Sequence, residues 1–286
     1  MESIVNTLML GGHVSTSGGI YSSIDRAESF SFRTFQIFSK NQMQWKAKPL
    51  IQEDVERFRE GVRKNGMSGI MIHASYLLNM GTLDSELRGK VLDAFSEEIK
   101  RADQLGIDFL TFHPGSAGKS GNPAESRKMV AENLNSLLEK EQHVRILLET
   151  SAGQGQTIGS SFEELAEIID MIDIRERVGI CFDTCHVWAS GYDIKSVNGY
   201  QETMDRFKSI IGLERLLGFH LNDSKKGQGS RVDRHEQIGQ GTLGIDGISN
   251  FVKDRRFRKT PMILETPKGE EGYPDDIRAL SSINLE

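Results

Sequence analysis

Short apolar runs alternate with longer amphipathic stretches along the whole chain, and this alternation narrows the possible folds more than any other feature. Runs rich in β-branched and aliphatic residues occupy 8–14, 33–38, 69–73, 109–113, 145–149, 178–183, 216–221 and 261–265. Between them lie segments whose apolar positions repeat with a helical period, among them 86–104, closed by Gly106, and 162–172. Eight strand-then-helix units in 286 residues suit a (β/α)8 TIM barrel, an α/β fold with an inner ring of parallel strands. A doubly wound open sheet is the competing architecture, and it rarely needs so many units. No linker or low-complexity block marks a boundary, so residues 1–286 are expected to form one barrel domain.

The ends of these runs carry the chemistry. Nearly every one delivers a histidine or an acid: His13, His73, His113, Glu149, Asp183, His220 and Glu265. In parallel barrels the C-terminal rim is where active sites are assembled. Of the seven histidines, His73, His113, His186, His220 and His235 fall at run ends or just beyond them, whereas a bland distribution would scatter them over helices and surface loops.

Local spacing sharpens the pattern. In Asp183-Thr-Cys-His186 an acid at a strand end is followed three residues later by an imidazole, which suits two groups turned into one rim cavity. Asp233 and His235 stand two apart, so an extended loop points both the same way. Glu149 and Glu265 end near-identical runs, ILLET and MILET, where a buried carboxylate without a partner would be costly. Imidazole with carboxylate suits zinc, manganese or ferrous iron. Nine such donors exceed the needs of one or two ions, and three ions sharing bridging carboxylates fit the count. Other residues have plainer readings: Asp223 caps a turn, His13 orients a ligand from behind, His143 lies on the surface, and Trp188 packs under its loop.

Composition sets limits. Hydrophobic residues make up 37% and charged residues 27% of the chain, a globular balance. No window approaches the roughly 18–20 apolar residues of a membrane span. The opening MESIVNTLML has an early acid and no basic segment, so it does not read as a secretory signal. The expected location is cytoplasmic, with Cys181 and Cys185 as reduced core residues rather than a disulfide or ligands. A net charge of -6 is unusual for a nucleic-acid binder. Three bound divalent cations would offset it, so acidity is weak grounds against DNA.

The runs GGHVSTSGG, HASYLLNMG, FHPGS, LETSAGQG, CFDTCHVWASGYD, HLNDSK, GSRVDRHEQIGQGTLG and ILETP resemble those of the endonuclease IV family of abasic-site endonucleases, from about Gly12 to about Tyr273. DTCH followed by GYD, together with GSRVDRH, is the specific part. The resemblance implies a trinuclear zinc site, with manganese or ferrous iron acceptable at one position. His73 and His113 would hold the first ion, with Glu149 bridging to the second. Asp183, His220 and Glu265 would complete the second, and His186, Asp233 and His235 would hold the third. Glu149, Asp183 and Glu265 would be the catalytic carboxylates, and no ligand position is degraded. The implied reaction hydrolyses the phosphodiester 5' to an abasic site in double-stranded DNA and leaves a 3'-hydroxyl. A hydroxide shared by two ions would be the nucleophile, and blocked 3'-ends would be processed by the same chemistry. The resemblance also implies a monomer with no membrane partner.

Two loops are implied in holding the damaged nucleotide outside the helix. Tyr76 and Leu77 match one; the other reads SKNQMQW, with Met43 where many members carry an arginine. Methionine can wedge between bases but gives up a cation. Lys40, Trp45 and Lys46 are candidates for phosphate or sugar contact. A metal-dependent sugar isomerase or epimerase on the same barrel is the alternative reading. It accounts for Glu149, Asp183, His220 and Glu265 but leaves Asp233, His235, His186 and Tyr76 without a task. A non-catalytic DNA-binding barrel is a third reading, and the intact carboxylate set speaks against it.

Overall fold

The computed structural model describes residues 4–119, 121–139 and 142–285. Its strands are β1 (Leu10–Gly12), β2 (Gln36–Ile37), β3 (Met71–His73), β4 (Phe109–Phe112), β5 (Arg145–Glu149), β6 (Val178–Asp183), β7 (Leu216–His220), β8 (Asp223–Ser224), β9 (His235–Glu236) and β10 (Met262–Leu264). The helices are α1 (Ile4–Thr7), α2 (Ser22–Ser29), α3 (Gln52–Lys64), α4 (Ser85–Leu105), α5 (Pro123–Leu137), α6 (Phe162–Asp170), α7 (Thr184–Ser190), α8 (Val197–Ile210), α9 (Gly244–Lys253) and α10 (Tyr273–Ser281).

An 8-stranded sheet runs in the order β1-β10-β7-β6-β5-β4-β3-β2, and every ladder in it is parallel. A parallel bridge between His13 and Gln36, with Val14 N–H donating to Gln36 O at 2.9 Å, brings the two ends together as a TIM barrel. The expected runs 145–149 and 178–183 coincide with β5 and β6. The expected 8–14 and 33–38 shrink to β1 and β2, because hydrogen bonds are sparse along this closing seam. β8 and β9 form a separate antiparallel pair that the apolar pattern does not reveal, since two-residue strands leave no period to read.

Met71, Leu147, Cys181 and Ile263 fill the inside of the barrel, all fully buried. Gly218 makes room for them: a Cβ there would lie 2.2 Å from the Met71 methyl. Outside the strands, the rings of Phe182, Phe207, Phe219 and Phe251 interlock at centroid separations of 5.5–6.0 Å along the β6–β7 flank. Each buried phenylalanine contributes about 1.5–3 kcal/mol, so this flank supports the strands that end in Asp183 and His220. The expected helix 86–104 is α4, capped by Asp84, whose side chain accepts from Glu86 N and Leu87 N, and ended by Gly106 at φ 68°. At the far end α1 buries Ile4 and Val5 beside α10. Among the described residues no helix is long and apolar enough to cross a membrane.

Candidate metal centre

The strand ends converge as their spacing predicts. Glu149, at the end of β5, is fully buried and forms the hub. Its Oε2 lies 3.2 Å from His73 Nε2 and 3.8 Å from His113 Nε2, while its Oε1 lies 2.9 Å from His220 Nδ1 and 3.4 Å from His186 Nδ1. Glu265 follows β10 and places Oε2 3.1 Å from His220 Nδ1. Asp183 closes β6 and uses its two oxygens differently. Oδ1 caps α7 by accepting from His186 N at 2.8 Å, and Oδ2 faces His235 Nε2 at 3.5 Å. One residue thus serves both the helix and the cluster. Asp233 Oδ1 reaches His186 Nε2 at 3.2 Å and His235 Nε2 at 3.4 Å. The β8–β9 pairing returns His235 to the rim, opposite Ser224.

Backbone carbonyls orient three of the imidazoles. Nδ1 of His73 meets Ala74 O at 2.7 Å, that of His186 meets Thr150 O at 2.8 Å, and that of His235 meets Glu265 O at 3.0 Å. A carbonyl only accepts, so each Nδ1 carries the proton and each Nε2 is left to face the cluster. Nε2 of His186 and of His235 is buried without a hydrogen-bond partner. Orphaned ring nitrogens aimed at carboxylates are what a cation would satisfy.

Charges respond to this crowding. Burial alone would raise the Glu149 carboxyl, yet the imidazoles of His113, His220 and His73 outweigh it and hold the group well below its usual range. Burial works against a charged His186, but Asp183, Asp233 and Glu149 push it up to about 10. Burial would likewise raise Asp233, and the imidazoles of His186, His235 and His113 bring it down to about 2. Protons on imidazoles thus balance carboxylates where divalent ions would.

Three overlapping donor sets result: His73, His113 and Glu149; Glu149, Asp183, His220 and Glu265; and Asp183, His186 and His235, with Asp233 also beside His235. Nitrogen and oxygen donors in groups of three and four fit zinc and similar divalent ions. Cys185 Sγ joins Asp233 and His235 in a further group that the sequence does not suggest, although burial pushes its thiol upward.

Of the remaining residues, Asp223 accepts from Ser224 N, Gly241 N and Gly244 N, the expected structural role. Trp188 is buried and donates to Thr242 Oγ1 at 3.1 Å, and His143 lies exposed near Asp108. Tyr76 is 58% exposed at the mouth, its ring stacked with His113, and Leu77 beside it is half-buried. Met43 is 67% exposed at the tip of its loop. Lys40 departs from expectation. Its ammonium is buried, 3.4 Å from Glu98 Oε1, and donates to the carbonyls of Trp45 and Ala94, so it anchors the loop to α4 rather than offering a cation to phosphate. Glu98 is buried too, and a buried carboxylate requires such a partner.

Gln36, Asn222 and Thr150 escape a sequence reading. Asn222 donates to Asp183 Oδ2 at 2.8 Å and accepts from Glu265 N, tying two site strands together. Gln36 lies fully buried among His13, His220 and Glu265. A neutral amide carries no mark of its role; Gln36 and His220 are 184 residues apart.

The xylose isomerase-like TIM barrel family model matches residues 24–283, and that family name alone covers both leading readings. A curated relative, the probable endonuclease 4 of Thermoplasma volcanium, is 44% identical over 97% of this chain and 96% of its own length. The chain belongs to the endonuclease IV family. As a member it is an endonuclease of DNA repair. The apurinic-apyrimidinic endonuclease of Caenorhabditis elegans is 40% identical over 96% of this chain and 70% of that protein. The crystal structure of endonuclease IV from Thermus thermophilus superposes with a TM-score of 0.85 at 32% identity, covering 96% of this chain and 98% of that one. His186, Asp233 and His235, the residues the isomerase reading leaves without a task, stand inside the cluster.

Proposed function

We propose that this chain, as a single-domain monomer in the cytoplasm, hydrolyses the phosphodiester 5' to abasic sites in double-stranded DNA, leaving a 3'-hydroxyl, and clears blocked 3'-ends. The convergence of four carboxylates and five imidazoles into three overlapping donor sets carries this reading. His73, His113 and Glu149 would hold one zinc ion; Glu149, Asp183, His220 and Glu265 a second; His186, Asp233 and His235 a third. Manganese or ferrous iron is acceptable at one position. Divalent cations held there supply an acidified water at neutral pH and fixed positive charge beside the scissile phosphate.

The chain's own residues do the rest. Glu149, Asp183 and Glu265 are the catalytic carboxylates, and the carbonyls of Ala74, Thr150 and Glu265 keep three imidazoles aimed inward. Beside the cluster a cavity of about 470 Å³, lined by Tyr76, His113, Ser151, Gln154, Thr157 and Asp233, accepts a sugar-phosphate unit. Tyr76 lines this cavity, and Leu77 beside it and the exposed Met43 of the adjoining loop would wedge the duplex. An abasic nucleotide has no base to unstack, so turning it into the cavity is cheap.

The test is incision of a duplex carrying one tetrahydrofuran abasic analogue, which cannot undergo β-elimination. A 3'-hydroxyl on the 5' side of the lesion is expected. An intact duplex, with turnover of a ketose or aldose instead, contradicts the proposal and favours the isomerase.

A further inference from the structure

Gln36 sits on β2 and its side chain spans residues from three other strands' ends. Nε2 lies 2.6 Å from Glu265 Oε1 and 3.0 Å from His13 Nδ1, and Oε1 lies 2.8 Å from His220 Nε2. A carboxylate only accepts hydrogen bonds, so the amide nitrogen must face Glu265; the flipped amide would set two acceptors together. That orientation leaves Oε1 against His220, and an amide oxygen only accepts. Nε2 of His220 must therefore carry the proton, and its Nδ1 lone pair points toward Glu149 Oε1 and Glu265 Oε2, at 2.9 and 3.1 Å.

Three other imidazoles at the centre work the opposite way round. His73, His186 and His235 are pinned through Nδ1 to carbonyls and present Nε2. Among the described residues no backbone carbonyl meets the His220 ring; the Gln36 amide oxygen takes that place from the other side of the ring. The second Gln36 N–H faces His13 Nδ1 and occupies its lone pair, so that nitrogen is not free to hold an ion.

We propose that Gln36 is a positioning residue that makes Nδ1 the ligating atom of His220 and holds Glu265 Oε2 beside it. The proposal rests on the metal reading above and adds to it a residue outside the ligand set. Gln36 acts through His220 and Glu265 and reaches no substrate, so its signature is metal retention rather than rate alone. Partners of this kind are worth about tenfold to a hundredfold in metal affinity.

The experiment strips the full chain of metal and titrates zinc against a chromogenic chelator, for wild type and Gln36→Met. Methionine keeps the volume and removes both hydrogen-bonding ends. At least one ion is expected to bind about ten- to a hundredfold more weakly in the variant, at unchanged wild-type uptake of about three. Equal affinity and stoichiometry in the two proteins would overturn the proposal while leaving the metal reading intact. Wild type taking up no zinc would sink both. A second measurement needs no variant: imidazole 15N spectra of the zinc-loaded wild type should show the His220 proton on Nε2, protected from exchange. A proton on Nδ1 would overturn the assignment even if Gln36→Met fails to fold.

Discussion

The two oxygens of Glu149 face different imidazoles, Oε2 toward His73 and His113, Oε1 toward His220 and His186. On the proposed assignment, alanine at this position would remove a ligand shared by two ions and leave buried imidazoles facing one another. Glu149→Ala is expected to lose zinc from both positions and to cut abasic DNA slower by a factor on the order of 10³ or more. Elemental analysis beside a rate assay reads both, and normal zinc content at a normal rate would break the assignment. Protonation offers a separate check at this scale. Asp183, Asp233 and Glu149 hold His186 at about 10 despite its burial, so without metal it carries a proton across the neutral range. Ligation needs the neutral ring, so zinc must expel that proton. Apparent affinity should rise about tenfold per pH unit for each proton so coupled, below the raised value, and weaken as pH falls. Calorimetry in buffers of different ionisation enthalpy counts the protons released; none released at pH 7 would contradict this picture.

At the scale of elements, two connections decide what the rim can do. Asp183 ends β6 and caps α7, so the helix start and the cluster form together; this is why an acid and His186 three residues on can be read from spacing alone. The loop between β2 and α3 is different. Its Lys40 looks like any polar loop residue, yet Glu98 lies 59 residues from its neighbour Ser39, which donates to that carboxylate, and no local pattern reveals the pair. Lys40→Met would leave Glu98 buried with the Ser39 hydroxyl but without its ammonium, and should cost about 3 kcal/mol on denaturant unfolding. A loss of DNA affinity with full stability would return Lys40 to the phosphate contacts. Met43, by contrast, is exposed at the tip. Met43→Arg should tighten binding to abasic duplex and steepen the logarithmic salt dependence by about 0.9, one phosphate contact. Unchanged affinity across salt would place the loop away from DNA.

For the whole molecule, the barrel was legible because β5, β6 and β7 are buried on both faces and therefore read as continuous apolar runs. The runs 8–14 and 33–38 located β1 and β2 but overstated their length, three and two residues at the seam, and the β8–β9 pair was beyond such reading, since pairing rather than composition defines it. The candidate ligands stood out because acids and histidines at strand ends are conspicuous. Gln36, Asn222 and Thr150 did not, because their roles exist only once distant strands are neighbours. In the proposed function the closed barrel gathers donors for three ions that together cut the backbone. Counting metal per chain, then assaying the tetrahydrofuran duplex before stripping, after stripping and after zinc is returned, tests it most directly. About three ions are expected, with incision lost on stripping and restored by zinc; incision that survives complete stripping would contradict the account.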